Sequence, residues 1–534
     1  MSEELRVARR AGTVAAATML SRVLGLVREQ VMAALFGAGL ATDAFNVAFR
    51  IPNLLRDLFA EGAMSSAFVP TFTAVYQREG ERPAWTFGRQ LMIALLVVLS
   101  VICAVGYVLA PWLVHLFAPG FGAIPGKLEL TITLTRVMLP FLPAVALAAA
   151  AMGMLNARGS FAVPALAPTM LNLGMIVGGV ALIPVVERFG QPAILAMALG
   201  VVIGGVGQFG CQLPALFRRG FRLGLERPWA HPWVLRVASL MGPAAVGLAA
   251  TQINLFVSTL IASLLEQGSV SWLGYAFRLM QLPIGVFGIA LATVSMPALA
   301  KAAVEDDLPA LKTTLSATLR LVFLLTAPAA LWLGVLAVPI ITLLYEHGRF
   351  GPLDTARTAG ALVMYCVGLP AFAASGVLTR AFYALGDTRT PVRASFVSVA
   401  LNLVLNLLFI GPLRPLGLGH AGLALATSLT AIANLLQLTW YLRRRVGPLE
   451  GRRMLNTLWR VGAAASLAAL PCAVALRWLG DRGRGNLAAE LAAVGAMLSL
   501  AVVAGYAAMR WLRVEELATV EELARSLTRR LRGR

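Results

Sequence analysis

Seven arginines, Arg22, Arg28, Arg50, Arg56, Arg136, Arg278 and Arg380, lie inside stretches that otherwise have the apolar character of a membrane span. A charge at bilayer depth costs roughly 3 kcal/mol or more, so it faces a polar cavity or a partner and marks a ligand or ion path. Four of the seven fall in the first two apolar segments. The guanidinium is always charged, and its planar fork of donors matches phosphate oxygens. Several converging arginines therefore suit a pyrophosphate or another di-anionic group. The competing reading is a structural ion-pair network between helices. That reading is preferred for Arg136 and Arg380, which have no polar cluster nearby in the sequence.

Helical spacing sorts the rest. Asp43, Arg50 and Asp57 recur every seven residues, with Glu61 one turn later, so they share a helix face. Arg50 is expected to pair with these acids, whereas Arg56 lies about 100° away from them. In the first segment Arg22 and Glu29 share a face and Arg28 points elsewhere. Arg22, Arg28 and Arg56 are thus better placed to meet a ligand than Arg50. Arg278 has Gly274, Gln281 and Leu282 at one-turn spacing and no acid, as a cation awaiting a ligand would. Asn402 and Asn406 sit one turn apart, with Thr427 in the following segment. Their oxygens fit a sodium ion, and hydrogen bonding between helices is the competing account.

These residues must be positioned by membrane helices. Of the 534 residues 59% are hydrophobic and only 13% charged, and the mean hydropathy is +0.79. Apolar runs of about 20 residues, enough to span the hydrocarbon, recur fourteen times. The expected fold is an all-α polytopic membrane protein of about 14 transmembrane helices. The basic start Arg6, Arg9, Arg10 leads into a long, charge-bearing run, unlike a cleavable signal peptide. With fourteen spans, 30 of the 45 basic residues fall on the side of the N-terminus and 8 on the other, which places both termini in the cytoplasm. The net charge of +20 is then mostly topology, with some attraction to anionic membrane lipids, and no nucleic-acid partner is expected. Cys103, Cys211, Cys366 and Cys472 have no pairing or metal spacing, and the four histidines are scattered. Gly205-Val206-Gly207-Gln208-Phe209-Gly210 satisfies a dinucleotide fingerprint but lies inside an apolar run; with Gly200 and Gly204 it reads as close helix packing. No catalytic acid, base or nucleophile set stands outside the membrane runs, so a transporter is favoured over an enzyme.

The chain also repeats itself. Ala48-Phe49-Arg50 matches Ala276-Phe277-Arg278 at an offset of 228, and Ala157-Arg158-Gly159 with Pro164 parallels Ala384-Leu385-Gly386 with Pro391 at 227. Six spans fit in that length, and an even number keeps both copies in one orientation. The expected organisation is two pseudo-symmetric six-helix lobes, 1–226 and 227–446. Two further helices follow at 447–513, and 514–534 form a cytoplasmic amphipathic tail with Leu517, Val520, Ala524, Leu527 and Leu531 on one face.

Ser21-Arg22-Val23-Leu24-Gly25-Leu26-Val27-Arg28-Glu29, Phe36-Gly37-Ala38-Gly39, Thr42-Asp43-Ala44-Phe45, Ile51-Pro52-Asn53-Leu54-Leu55-Arg56 and Phe59-Ala60-Glu61-Gly62-Ala63 together resemble the signature of the MurJ (MviN) family. Gly268-Ser269-Val270-Ser271-Trp272 and Gly386-Asp387-Thr388 extend the resemblance. That family flips the peptidoglycan precursor lipid II, an undecaprenyl-pyrophosphate-linked disaccharide-pentapeptide. It belongs to the multidrug/oligosaccharidyl-lipid/polysaccharide (MOP) exporter superfamily. The resemblance implies a flippase of the bacterial inner membrane that works by alternating access and meets the cell-wall synthesis machinery. It implies that Arg22, Arg28, Arg56 and Arg278 line a central cavity and contact the pyrophosphate. Asp43 and Glu61, with Arg50 and Glu29 beside them, would shape or gate the cavity, and the last two helices would hold the undecaprenyl tail. Some relatives bind sodium through acids where this chain has the neutral Ser258 and Asn406. No cofactor is expected, and a sodium or proton gradient and the membrane potential are all compatible driving forces. A flippase for another polyprenyl-pyrophosphate-linked glycan and a MATE-like exporter are the alternative readings.

Overall fold

Helix-breaking residues set the boundaries of a chain that is otherwise helical almost throughout. The computed structural model describes residues 3–57, 63–229, 232–479, 487–522 and 525, and among these there is no strand. The chain divides into two compact units, Met1–Ser271 and Trp272–Arg534. The first holds α1 (Glu3–Phe36), α2 (Leu40–Arg56), α3 (Ala63–Glu79), α4 (Glu81–Phe117), α5 (Lys127–Met138), α6 (Phe141–Ala157), α7 (Ala162–Leu166), α8 (Thr169–Leu173), α9 (Val180–Arg188), α10 (Ile194–Gly210), α11 (Leu213–Phe217) and α12 (Pro232–Ser263). Helix α13 (Ser269–Pro283) begins at the end of the first unit. The second unit continues with α14 (Ile289–Val304), α15 (Leu308–Val335), α16 (Ala337–Tyr345), α17 (Pro352–Ala384), α18 (Arg389–Ile410), α19 (Gly419–Val446), α20 (Gly451–Leu479) and α21 (Leu487–Trp511).

Among the described residues, eleven helical stretches are long and apolar enough to cross a membrane. The other three expected spans correspond to α1, to α2 with α3, and to α12. Helices α1 and α2 carry Arg22, Arg28, Arg50 and Arg56 in place of apolar residues. Gly37, at φ +66°, ends α1 in a backbone conformation that an L side chain resists, and its carbonyl accepts the Thr42 hydroxyl at 2.8 Å. The turn fixes where α2 starts and therefore where Asp43 stands.

The core of the first unit is aromatic. Phe68 and Phe72 of α3 pack on Phe87 of α4, with ring centroids 5.6 and 6.4 Å away, and all three are fully buried. Helix α10 closes on the π-helical turn Gly174–Gly179 because Gly200 and Gly204 have no side chain; a Cβ on Gly174 would lie 2.5 Å from the Gly204 backbone. The glycine cluster is helix packing, as its place in an apolar run suggests.

The division into units falls later than the sequence repeat. Helix α12 belongs to the second copy by sequence, yet it packs on α3 and α4 of the first unit. The repeat nevertheless leaves a backbone trace. Asp57 adopts the π conformation, and the π turn Ile284–Gly288 follows it at the offset of the sequence repeat.

Candidate functional site: arginine forks and a buried aspartate

Two candidate arginines of the first unit, Arg28 and Arg56, are held by neighbours in sequence. Arg28 is half-buried, and its Nε and Nη2 both donate to Oε1 of the buried Glu29. Its Nη1 donates to Asn172 Oδ1 at 3.0 Å, and Asn172 Nδ2 donates to the Ser21 carbonyl at 3.1 Å. One turn of α8 thus clamps α1 at the height of the arginine. Arg56 repeats the fork on Asp57 Oδ1, at 3.2 Å from Nε and 2.8 Å from Nη2, and Gln252 of α12 donates to the other oxygen at 3.1 Å. Arg22 is exposed on α1 and pairs with none of the described residues. Helical spacing expects neither fork, because adjacent residues do not face each other. The long arginine side chain folds back to reach its neighbour, and Arg28 does not point away from Glu29 after all.

Asp43 and Asp57 are not partners of Arg50, although the seven-residue spacing suggests it. Asp57 serves Arg56 and Gln252, and Asp43 serves a different set. Arg50 is half-buried and has a partner. Asp43, 1% exposed, accepts from Lys127 Nζ at 2.8 Å, from the backbone N–H of Gly268 at 2.8 Å and Ser271 at 2.9 Å, and from Ser271 Oγ at 2.6 Å. Lys127, equally buried, also stands over the Phe121 ring at 4.0 Å. Four donors saturate the carboxylate, and two of them are N–H groups around the first turn of α13, which has no helical acceptor for them. Asp43 is therefore the cap of α13, supplied by α2. By charge counting Lys127 is only an outer-loop cation. Its partner lies 84 residues away in sequence, too far for any spacing rule.

The remaining candidates are placed as follows. Glu61 lies outside the described residues. Arg136 donates to the Tyr107 carbonyl at 3.1 Å and sits 4.9 Å from that ring. Arg380 donates to Thr293 Oγ1 at 2.8 Å. Both are tied to a neighbouring helix. Arg278, in the second unit, is half-buried on α13 and has a partner, although none stood at one-turn spacing. Asn402 and Asn406 are fully buried and bond to each other at 2.9 Å, and the third member is Thr430, 3.4 Å from Asn402 Nδ2. Thr427 does not join them. Its hydroxyl bonds the Leu423 carbonyl of its own helix, because a threonine back-bonds when no better acceptor is near.

The second unit also contains an apolar cavity of about 570 Å³. It is walled by Leu282 of α13, Phe287 after it, Leu325 and Trp332 of α15, and Leu498 and Val502 of α21. The indole N–H of Trp332 is occupied by the Ala465 carbonyl, and the Tyr506 hydroxyl by Glu521. The wall offers hydrocarbon contact and little else.

A family model described as "Lipid II flippase MurJ" matches residues 32–489. The chain is 39% identical to the lipid II flippase MurJ of Burkholderia cenocepacia over 479 residues, covering 88% of this chain and 91% of the relative. It is 38% identical to the probable lipid II flippase MurJ of Vibrio cholerae over 438 residues, covering 79% of this chain and 80% of the relative. A solved structure of a lipid II flippase MurJ in an inward closed conformation superposes with a TM-score of 0.75 at 26% identity, over 93% of this chain and 99% of that one. An inward-facing MATE transporter of the MOP superfamily shares the fold, with a TM-score of 0.66 at 16% identity over 82% of this chain and 98% of its own. With the family model and the full-length relatives in agreement, this chain belongs to the MurJ family of lipid II flippases.

Proposed function

We propose that this chain carries lipid II from the inner to the outer leaflet of the bacterial cytoplasmic membrane by alternating access, with both termini in the cytoplasm. It is a multi-pass transporter and not an enzyme. The observation that carries the reading is the pair of half-buried arginines, Arg28 and Arg56, each already forked on an adjacent carboxylate. A transporter must bind its cargo and then let it go. An unpaired arginine in the membrane would be costly while empty and slow to release a pyrophosphate. A guanidinium that exchanges a carboxylate for a phosphate oxygen trades one charge-assisted hydrogen bond for another of similar strength. The net gain is modest, which suits turnover. We assign phosphate contact to Arg22, Arg28 and Arg56 of the first unit, and the family resemblance gives Arg278 of the second unit the same role. Asp43, Arg50, Glu29 and Glu61 are assigned to cavity shape and gating.

A MATE-like exporter of small amphipathic molecules would not need these arginines, and the likeness of such a transporter to this chain extends to fold alone. No cofactor belongs to the proposal. The drive is read by collapsing the sodium gradient, the proton gradient and the membrane potential in turn; Asn402, Asn406 and Thr430 are the oxygens to substitute if sodium matters.

The test is rescue of a flippase-depleted bacterium, with lipid II scored on the outer leaflet. Wild type and Arg136→Ala are expected to rescue, and Arg22→Ala, Arg28→Ala, Arg56→Ala and Arg278→Ala are expected to fail at equal expression. Rescue by all four would make the arginines structural. Failure of a well-expressed wild type would shift the substrate to another polyprenyl-linked glycan.

A further inference from the structure

The two copies of the sequence repeat end alike and then diverge. Gly220, at φ +88°, and Gly447, at φ +84°, stand at the repeat offset, and each follows the last helix of its copy in a left-handed turn. Each turn is braced by an arginine just before it. Arg219 donates to the Arg158 carbonyl at 2.6 Å, and Arg445 to the Leu385 carbonyl at 3.0 Å. Around this shared frame the first copy is apolar. Phe221 is 1% exposed and meets the Trp85 ring at 5.7 Å, and Phe217 stacks on Phe221. At the same offset the second copy has Lys312 for Trp85, Arg443 for Leu216, Arg444 for Phe217 and Pro448 for Phe221. The fold does not require cations at these positions, since one copy closes the corner with aromatic rings.

The cations of the second copy border a groove of about 530 Å³ at the foot of α19, walled by Leu436, Thr439, Trp440, Arg443, Arg444 and Pro448. Its volume is within the ~300–1,000 Å³ range of ligand sites. Arg445 is already spent on Asp387 at 2.9 Å, whereas Arg443 and Arg444 have no carboxylate partner among the described residues. The Arg444 guanidinium lies 3.7 Å from the centre of the Trp440 ring, which fixes its plane and leaves the N–H edge for an anion. Lys312 adds positive charge beside Gly447, where a Cβ would lie 3.1 Å from its Nζ.

The groove is graded along the helix. Leu436, Trp440 and the arginine pair recur at one-turn spacing and share a face. Leu436 is 64% and Trp440 46% exposed, on a helix apolar enough to cross a membrane. Eight helical residues rise about 12 Å. The stripe therefore runs from hydrocarbon, through the interface where tryptophan concentrates, to the level of the headgroups. A free phosphate would meet the arginines and have no use for Leu436. A hydrocarbon alone would leave two cations unpaired. A phospholipid satisfies both ends.

We propose that the foot of α19 is a site for one anionic glycerophospholipid of the cytoplasmic leaflet. Its phosphate is held by Arg443 and Arg444, its glycerol backbone lies on Trp440, and its first acyl carbons run along Leu436. Two cations at one phosphate favour a headgroup of net negative charge over one that brings its own ammonium. The leaflet follows from the cytoplasmic termini of the proposed function; the site itself depends on no step of flipping.

The test uses the full-length protein in phosphatidylcholine nanodiscs doped with a diazirine-bearing phosphatidylglycerol. In wild type, photolabelling is expected to concentrate on residues 436–448, and a diazirine-bearing phosphatidylcholine at equal dose should label them several-fold less. Arg443→Gln with Arg444→Gln should cut the phosphatidylglycerol labelling about tenfold without moving the melting temperature. Trp440→Leu should cut it by a smaller factor, since the apolar contact stays and the stacking goes. Arg78→Gln with Arg82→Gln removes the same charge from exposed positions of the first unit and should leave the labelling unchanged. Labelling spread evenly over other exposed helix faces, equal labelling by phosphatidylcholine, or an equal loss in the control pair would overturn the site. Wild-type labelling decides the first two whatever the stability of the variants. Displacement by inorganic phosphate would make it a free-anion site, and displacement by undecaprenyl pyrophosphate would make it part of the substrate path; either result overturns the phospholipid assignment. Labelling is read without transport, so its failure is separate from failure of the proposed function, which the rescue experiment tests by itself.

Discussion

Two kinds of acidic site in the first unit use the same chemistry to opposite ends. At Asp43 the carboxylate is fully buried and saturated by a lysine, a hydroxyl and two backbone N–H groups that come from α5 and from the start of α13. At Arg28–Glu29 and Arg56–Asp57 each acid is next to its arginine in sequence, and both arginines stay 13–19% exposed. A charge met by four donors from distant segments has no capacity left for a ligand; what it does is fix where those segments stand. A charge met by its own neighbour keeps part of its guanidinium at the surface, where an incoming anion can compete for it. Burial and the sequence distance to the partner therefore separate an anchor from a binding group, although residue type does not.

The largest expected effect breaks the anchor. Lys127→Met leaves the buried Asp43 carboxylate its hydrogen bonds but no countercharge, and stripping one partner from a buried pair costs about 3–5 kcal/mol. Thermal unfolding in detergent should show it, and flipping should fail with it. Lys127→Met combined with Asp43→Asn should regain part of the loss, because an amide still accepts from the α13 backbone without an uncompensated charge. Should the single variant melt with wild type, the pair would be no anchor.

Next comes the fork. Arg28→Lys keeps the charge but loses the planar donors, so rescue should drop at least tenfold while the melting temperature moves little. Glu29→Gln goes the other way. With its competitor weakened, Arg28 should bind pyrophosphate several-fold tighter and release it more slowly, so lipid II binding rises as transport falls. Tighter binding with faster transport would defeat the carboxylate-exchange argument.

How much of this was legible in the sequence follows from the same contrast. Apolar runs, the repeat and the arginines at bilayer depth are local or periodic signals that led to the helical fold and the residues worth testing, and the short motifs of the first 63 residues carried the family resemblance. The partners were not legible. Spacing assigned Asp43 and Asp57 to Arg50, since side chains seven apart share a face, but a carboxylate on a buried face is taken by whatever another helix brings. Lys127 came from a loop counted only for its charge. Thr430 replaced Thr427 because a one-turn difference on α19 decides which hydroxyl meets Asn402. The tail was read from its apolar face alone; Leu517 and Val520 of that face pack against Leu324, Val461 and Met509, and Ala524, Leu527 and Leu531 lie outside the described residues.

A smaller effect tests the asparagine pair against that reading. Asn402→Ala leaves the Asn406 amide without its acceptor in a fully buried position, which should cost about 1–3 kcal/mol. Thr427→Val removes only a hydroxyl bonded within its own helix and should be nearly silent. If the two melt alike, the pair is not the unit of stability that its geometry describes.

The smallest effect lies at an acid outside the spans. Burial alone would raise the pKa of Asp387, but the backbone and side chain of Thr390, the Arg445 guanidinium and the Arg389 N–H together outweigh it and hold the carboxyl below its ordinary value. The geometry agrees: Asp387 accepts from the N–H groups of Arg389 and Thr390 at 3.0 Å each, and from Arg445 at 2.9 Å. A group whose pKa falls on folding stabilises the fold above its unfolded value and loses that contribution as pH drops through the folded one. Asp387→Asn should therefore melt slightly lower than wild type near neutrality, and the gap should close below about pH 4. A gap at Asp387 that persisted at low pH would mean that the cap is worth its hydrogen bonds alone, with no contribution from its charge.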